Sequence, residues 1–469
     1  MPDFLTKQSS NQAITLYIAV LLLCSLVFFA HALPFMWLAF GVVEVFCFFH
    51  FSNQLTRKWA KLKEKRFLKK LFVTALLIRL VWVVFSYWFF DTMTGKPFEF
   101  GAGDSLGYHD DALWVTDLIT KGSIQPYLNY RKGDYADSGY TIYLGFIYLF
   151  INSSIFVARL IKALISAYTC LLVYKLAKRN FGEIVGRMSA IFCMLMPNLI
   201  YYTGLHLKET EMVFLTVAFM ERADIMFRNK HFNFAEIAPP VLLAVSLFFF
   251  RTILGATAMF AMFTTLLFSS SKVISAGKRV VLTVWIIGAM AYFVGGAISN
   301  EIEAVWLKKN DNQAQSMQWR TVRKNGNKYA KYATGAIFAP MIFVIPFPTI
   351  VNTPEQESMK MINGGNYVKN FMAFFTIFAL FWILKNGKWQ DYVLVGSFTI
   401  GYVVVLAMSA FAQSERFHQP ALPFELILAA FGITLITKKE KKYQTFYLII
   451  IFVAIVGWSW FKLAGRDMT

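Results

Sequence analysis

The chain has 469 residues, of which 57% are hydrophobic and 16% are charged, and its formal net charge is +19. Soluble domains are nearer half apolar and a quarter charged, so this composition excludes an ordinary soluble protein and indicates a lipid environment. The basic residues stand in short clusters between apolar runs, which is typical of cytoplasmic loops rather than of one nucleic-acid-binding face. The four cysteines all lie within apolar runs, at no metal-ligand spacing, and are interpreted as packing residues.

Apolar runs that are long enough to cross a hydrocarbon core recur along the chain. They predict an all-α polytopic membrane protein with about thirteen transmembrane helices. The predicted spans begin near residues 14, 35, 71, 155, 184, 208, 235, 253, 280, 366, 390, 419 and 445. The first run is long for a cleaved signal peptide, so we expect it to remain as the first helix.

The distribution of charge orients these helices. The loop between the second and third predicted spans holds eight basic residues and one acid, Glu64. Basic loops stay on the cytoplasmic side, so we expect this loop and the N-terminus to be cytoplasmic. The segment that follows the third span, residues 91–154, is rich in acids and is predicted to be the first external loop.

Two apolar segments do not fit this orientation as spans. Residues 140–151 are too short and are predicted to form a juxtamembrane helix in the first external loop. Residues 336–351 contain three prolines and are predicted to be re-entrant or interfacial, where irregular backbone is tolerated if protein buries it. The loop at 300–335 is predicted to be external although it is basic, so either the orientation is wrong there or the loop contacts anionic lipid or phosphate.

Ionisable residues near membrane depth are costly, which makes them candidates for function. In the predicted topology several meet at the external ends of different helices: Asp104, Arg159, Lys208, Glu209, Arg251 and Arg416. Simpler interpretations stay open, because Asp104 with Ser105 also fits a helix N-cap and the cations also fit side chains that reach from helix ends to the interface. Asp110 and Asp111 fit either a solvated helix face or a carboxylate metal site.

Several short motifs follow one another along the chain. They are Gly103-Asp104-Ser105-x-x-Tyr108-His109-x-x-Ala112, Val157-Ala158-Arg159-Leu160 with the basic turn Lys178–Gly182, Pro197, Leu207-Lys208-Glu209, and Glu415-Arg416-Phe417-His418-x-Pro420-x-x-Pro423. Their order resembles that of the GT-C superfamily of polytopic glycosyltransferases, in particular the lipid A aminoarabinose transferases and the protein O-mannosyltransferases. The resemblance begins at about residue 71, so residues 1–70 look like a two-helix addition with a basic cytoplasmic loop.

The resemblance implies a GT-C-like transmembrane catalytic domain over residues 71–469, with external loops at 91–154 and 299–365. It implies transfer of a sugar from a polyprenyl-phosphate-linked donor to a glycan, lipid or protein acceptor at the periplasmic face of a bacterial inner membrane. Asp104 matches the family's catalytic carboxylate, and Glu209 stands where relatives carry a second external acid. The candidates for binding the lipid phosphate are Lys208, Arg251, Arg416, Arg159, Tyr108 and His109. A divalent metal stays an open question, because Asp104 is followed by Ser105 rather than by a second acid.

The chemistry of such a transfer agrees with these residue types. An attacking hydroxyl needs a base, which a carboxylate supplies, and the departing lipid phosphate needs cations more than it needs a proton. An in-line displacement would invert the anomeric carbon. Two other functions stay open: a glycan polymerase or ligase that uses a polyprenyl-diphosphate-linked glycan, and a lipid or glycan transporter. The sequence shows no internal repeat and places its candidate charges at one interface, which disfavours the transporter.

Overall fold

The computed structural model describes residues 5–131, 136–229, 234–293, 309–322, 326–332, 335–353, 357–409, 411–437 and 439–468. Within these ranges the regular secondary structure is entirely helical, which confirms the predicted all-α class. Lys308, Arg323 and Lys324 of the basic 300–335 loop lie outside the described residues, so the orientation of that loop stays a prediction.

The helices follow the order of the apolar runs. The first part of the chain forms α1 (Lys7–Val27), α2 (Phe35–Trp59), α3 (Glu64–Thr94), α4 (Gly103–Thr120), α5 (Gln125–Arg131), α6 (Ser138–Ile151), α7 (Ile155–Phe181), α8 (Glu183–Leu195), α9 (Pro197–Tyr201) and α10 (Glu209–Arg228). The second part forms α11 (Phe234–Phe250), α12 (Thr252–Phe268), α13 (Ala276–Phe293), α14 (Lys309–Val322), α15 (Gly335–Phe338), α16 (Glu357–Lys360), α17 (Asn363–Lys385), α18 (Val393–Ala407), α19 (Glu415–His418), α20 (Leu422–Leu435) and α21 (Lys441–Ala464).

Six of the described helices are long and apolar enough to cross a membrane: α1, α2, α3, α7, α17 and α21. The bent pair Glu183–Leu195 and Pro197–Gly204, with an angle of 53°, would make a seventh span. Five further apolar helices, α6, α11, α12, α18 and α20, have 14 to 17 residues each. A straight span needs about 20 residues. The structure therefore supports a helical membrane protein, whereas the predicted count of about thirteen spans is not confirmed.

Ion pairs join several helices at one end of the bundle. Lys178 near the end of α7 contacts Glu64 at 2.8 Å and Glu183 at 3.0 Å. Arg179 contacts Glu221 at 3.0 Å and Asp224 at 2.5 Å, which brings in the end of α10. We call this the basic end, because the cluster of cations around residues 57–70 lies there too. A helix of the length of α3 extends about 46 Å, so its far end at Thr94 lies at the opposite end of the bundle.

The predicted first external loop also contains helices. The predicted juxtamembrane segment forms α6, which packs against α4. The two backbones approach closely at Gly145, where an added Cβ would lie 2.7 Å from the Val115 side chain. This contact fixes the helix that begins with Gly103 and Asp104. The position of α6 relative to a membrane stays a prediction.

The proline-rich segment at 336–351 is irregular and largely buried. After the short helix α15 and a 3-10 turn, the backbone has no regular structure, and residues 344–351 are all buried. Side chains of α17 bind its main-chain carbonyls: Asn370 Nδ2 donates to Pro346 O at 2.9 Å, and Asn363 Nδ2 donates to Thr349 O at 2.8 Å. Irregular backbone in an apolar interior requires such partners. Its re-entrant placement in a membrane stays a prediction.

The first two helices pack on the rest of the bundle. Tyr367 of α17 donates to Ala13 O of α1 at 2.7 Å, and the amide of Gly365 donates to Glu44 of α2 at 3.1 Å. These contacts give residues 1–70 a shared core with α17. The division at residue 70 into an addition and a catalytic domain stays a prediction.

Arg79 of α3 stabilises the bend between α8 and α9. Pro197 has no amide hydrogen, so the carbonyl of Cys193, four residues earlier, has no helical partner. The fully buried guanidinium of Arg79 donates to Cys193 O and to Met194 O, at 3.2 Å each. Its Nε also donates to Ser166 of α7 at 2.6 Å. One arginine thus fastens the bend to two neighbouring helices.

We expect Arg79→Leu to destabilise the protein, because two buried carbonyls would lose their donors at a cost of about 1–3 kcal/mol each. Thermal unfolding of the purified protein in detergent would measure this as a lower midpoint temperature. The matched control is Arg222→Leu on α10, whose side chain is half exposed. Equal midpoints for the two variants would contradict the role of Arg79.

Candidate functional site

One arginine bridges two carboxylates from distant parts of the chain. The guanidinium of Arg416 donates through Nη1 to Asp104 Oδ2 and through Nε to Glu209 Oε1. These partners are 312 and 207 positions away in sequence, on α4 and α10. The sequence predicted that all three residues meet at the external ends of different helices, and the structure brings them into direct contact.

The three members of this bridge differ strongly in exposure. The side chain of Asp104 is 63% exposed, that of Arg416 is 18% exposed, and that of Glu209 is fully buried. A molecule that approaches from outside would therefore meet Asp104 first and Arg416 next. Glu209 lies beneath them and holds the guanidinium from the inside.

Helix geometry places both carboxylates. Asp104 lies in the first turn of α4, and Glu209 is the first residue of α10. The unpaired amides of a helix N-terminus carry partial positive charge, which favours an acid in the first turn. Two helix N-termini thus direct their acids toward the same cation. Arg416 lies on the one-turn helix α19, which ends just before the first turn of α20 with its Pro423.

The one-turn helix α19 has a polar contact on each side of Arg416. Tyr202 donates its hydroxyl to Glu415 Oε1 at 2.8 Å, and Tyr402 donates to the carbonyl of Phe417 at 2.9 Å. The guanidinium carbon of Arg251 lies 4.2 Å from the centre of the Phe417 ring, which is a close cation–π contact. Arg251 therefore belongs to the same site as Arg416, as the sequence predicted.

Lys208 lies at the inner edge of this site. Its ammonium group donates to the carbonyl of Phe250 at 2.8 Å, contacts the carboxylate of Asp137 and lies 6.0 Å from the ring centre of Tyr108. Burial, and after it the positive charge of Arg251, lowers the pKa of Lys208 to about 6. The contact with Asp137 opposes this shift, because it favours the charged ammonium.

Charges of the site also shift the pKa values of its other members. Burial, followed by the negative charge of Glu209, raises the pKa of Tyr108 to about 12, so its hydroxyl stays a hydrogen-bond donor at neutral pH. Burial alone would raise the pKa of Glu209, but Arg416 and Arg251 together lower it below its ordinary value. Burial works against a charged Arg416, and the two carboxylates overcome it and raise the pKa of the guanidinium.

Six of the eight residues that the sequence singled out therefore lie in one site. They are Asp104, Tyr108, Lys208, Glu209, Arg251 and Arg416.

The other two residues, His109 of α4 and Arg159 of α7, lie in a neighbouring cluster. His109 Nδ1 is 2.7 Å from the hydroxyl of Tyr148, which is 2.9 Å from Nε2 of the buried His206. Arg159 donates to Pro97 O and lies 5.9 Å from the Phe98 ring centre.

Sequence reasoning missed the pair that fixes the loop before Glu209. The ammonium group of Lys162 in α7 donates to the carbonyls of Leu205 and Leu207 and lies 3.6 Å from the carboxylate of Glu211. Both charged side chains are almost fully buried. A lysine in the middle of an apolar run is a signal of function or close pairing that the sequence does contain.

The described residues hold no group of three or more His, Cys, Asp or Glu side chains that could bind a metal ion. The cationic partner of Asp104 and Glu209 in the structure is Arg416. The arrangement offers an exposed carboxylate as an acceptor of protons, and two guanidinium cations, Arg416 and Arg251, beside the amine of Lys208 as partners for an anion.

Comparison with known proteins gives little further information. No family model matches the chain, and no curated protein matches it. A solved structure of the archaeal oligosaccharyltransferase AglB from Archaeoglobus fulgidus, in complex with an inhibitory peptide and a dolichol-phosphate, is similar with a TM-score of 0.44 and 12% sequence identity. The similarity covers 86% of this chain and 56% of that one, so this chain spans little more than half of AglB.

Proposed function

We propose that this protein is a membrane glycosyltransferase that moves a sugar from a polyprenyl-phosphate-linked donor to an acceptor at the external face. The observation that supports it is the contact of Arg416 with Asp104 and Glu209, next to Arg251. It combines an exposed base with cations for a phosphate at one end of a helical bundle.

Asp104 is the proposed base. As the acceptor hydroxyl attacks the anomeric carbon, its proton passes to a carboxylate oxygen of Asp104, and the bond from that carbon to the phosphate oxygen breaks. The bonding pair leaves with the lipid phosphate, so attack and departure on opposite faces invert the anomeric centre. The 63% exposure of the Asp104 side chain leaves it accessible to an acceptor.

Arg416 and Arg251 are the proposed partners of the phosphate. A planar guanidinium can bind two phosphate oxygens at once, and its charge offsets the charge that develops on the leaving group. Lys208 adds a third cation when a phosphate approaches, because an anion favours its ammonium form. The hydroxyl of Tyr108 donates a hydrogen bond in the same place.

Glu209 has a different proposed part. Its side chain is fully buried and binds Arg416 from beneath, so we assign it to the positioning of Arg416 rather than to contact with a substrate. Binding by Arg159 and His109, which lie in the neighbouring cluster, stays a prediction. So do the identities of the sugar and the acceptor, which is a glycan, a lipid or a protein.

We expect Asp104→Asn to lower turnover by about 10²- to 10⁴-fold, because an amide cannot take the proton of the acceptor. The assay is the transfer of a radiolabelled sugar from a polyprenyl monophosphate donor by the purified protein in liposomes. Asp110→Asn, on an exposed position of the same helix, is the matched control and keeps its activity. Turnover by Asp104→Asn at the wild-type rate would remove Asp104 from the reaction.

We expect Arg416→Lys to raise the KM for the lipid-linked donor by about tenfold or more, because an ammonium cannot bind two carboxylates and a phosphate with the fixed fork of a guanidinium. Arg187→Lys is the matched control: Arg187 is similarly buried and also contacts a glutamate, but at the basic end. Kinetics with varied donor concentration would measure the change. An unaltered KM would show that Arg416 does not bind the donor.

The same assay separates the other two functions. Activity with a polyprenyl-diphosphate-linked glycan, and none with a monophosphate-linked sugar, would indicate a polymerase or ligase. Movement of a lipid-linked substrate across the liposome bilayer without glycosyl transfer would indicate a transporter.

A further inference from the structure

A second cluster of ionisable side chains lies in the core and includes a residue of α19, the helix that carries Arg416. It consists of Lys369 on α17, His418 on α19 and Glu425 on α20, and we call it the Lys369 cluster. The three residues are 3%, 1% and 4% exposed. None of them reaches the outside, so the proposed reaction does not use them directly.

The ammonium group of Lys369 is the centre of this cluster. It lies 2.7 Å from Nδ1 of His418, donates to the carbonyl of Ile345 at 2.8 Å and lies 3.7 Å from the carboxylate of Glu425. One side chain thus connects the irregular buried segment, α19 and α20. Burying a charge in this way is costly, and the carboxylate of Glu425 supplies the opposite charge.

These contacts determine the protonation state and the tautomer of the His418 ring. An ammonium group only donates hydrogen bonds, so Nδ1 of His418 accepts, and the ring proton lies on Nε2. Nε2 in turn lies 2.8 Å from the carbonyl of Ala412, to which it donates. The ring is therefore neutral, in a single tautomer, and ties residue 412 to residue 418.

Arg416 lies inside the turn that this ring closes. The turn from Ala412 to His418 is held at its ends by His418 and, through Lys369, by the core of the bundle. Side-chain contacts on Glu415 and Phe417 fix the positions on either side of Arg416. The guanidinium reaches Asp104 and Glu209 from this fixed backbone.

We propose that Lys369 and His418 are positioning residues, which hold the 412–418 turn so that Arg416 contacts both carboxylates. The effect on turnover rests on the proposed function, whereas the effect on Arg416 itself does not. The Lys369 cluster acts through the backbone of α19, and a displacement of about 1 Å at such a position is enough to cost about 100-fold in rate.

The experiment compares four variants: Lys369→Met, Lys369→Met with Glu425→Leu, His418→Leu and His418→Gln. Each protein is purified in detergent, its thermal unfolding is recorded, and its arginines are modified with phenylglyoxal. Peptide mass spectrometry then gives the rate of modification of Arg416, which needs no substrate. Lys278→Met is the matched control, because Lys278 is also buried and donates to two carbonyls, those of Met226 and Asn229, at the basic end.

Lys369→Met alone leaves Glu425 as a buried unpaired charge and lowers stability, whereas the double variant removes both charges and recovers it. We expect Arg416 to be modified faster than in the wild type, and the donor KM to be raised, in both the double variant and His418→Leu. In the double variant this holds although its stability is recovered. His418→Gln retains one acceptor and one donor and restores slow modification. Lys278→Met lowers stability without altering Arg416.

Slow, wild-type modification of Arg416 in both the double variant and His418→Leu would overturn the proposal, because the Lys369 cluster would then be only a structural ion pair. The rates of Arg416 modification test the positioning proposal even if neither the wild type nor any variant transfers a sugar. That result would contradict the proposed function, and the modification rates would still show whether Lys369 and His418 position Arg416.

Discussion

The ion bridge from Arg416 to Asp104 and Glu209 is the interaction on which the arrangement of the site depends. It joins the start of α4, the start of α10 and the turn before α20, which are far apart in sequence. A guanidinium beside a fully buried carboxylate is stable only when each compensates the charge of the other. The bridge therefore sets the positions of three segments and leaves its outermost member, Asp104, exposed.

A second constraint is the supply of hydrogen-bond partners where helices break. In several places a buried cation donates to a main-chain carbonyl at such a break: Arg79 at the α8–α9 bend, Lys162 in the loop before α10, Lys208 at the end of α11 and Lys369 on the irregular segment. An apolar interior offers no water for these carbonyls. The cations thus permit the broken backbone that brings the site residues together.

The two ends of the bundle use charge in different ways. At the basic end, Lys178, Glu64 and Glu183 form a partly exposed network that ties helix ends together. At the opposite end, the charges range from the exposed Asp104 to the buried Glu209, and burial, followed by the fields of these charges, shifts the pKa values of Lys208 and Tyr108. The first pattern stabilises, whereas the second leaves charged groups that a substrate can engage.

The sequence by itself determined the helical membrane class and the positions of most helices, because apolar periodicity is a local signal. It also predicted eight site residues from their costly charges and a family resemblance, and six of these lie together in the structure. Only the tertiary structure decided which acid is exposed, since burial depends on neighbours: Asp104 lies outside and Glu209 beneath Arg416. It also separated Arg159 from the site and revealed the partners of Lys369. These contacts join residues that lie from 24 to 312 positions apart in sequence, and no local pattern encodes them.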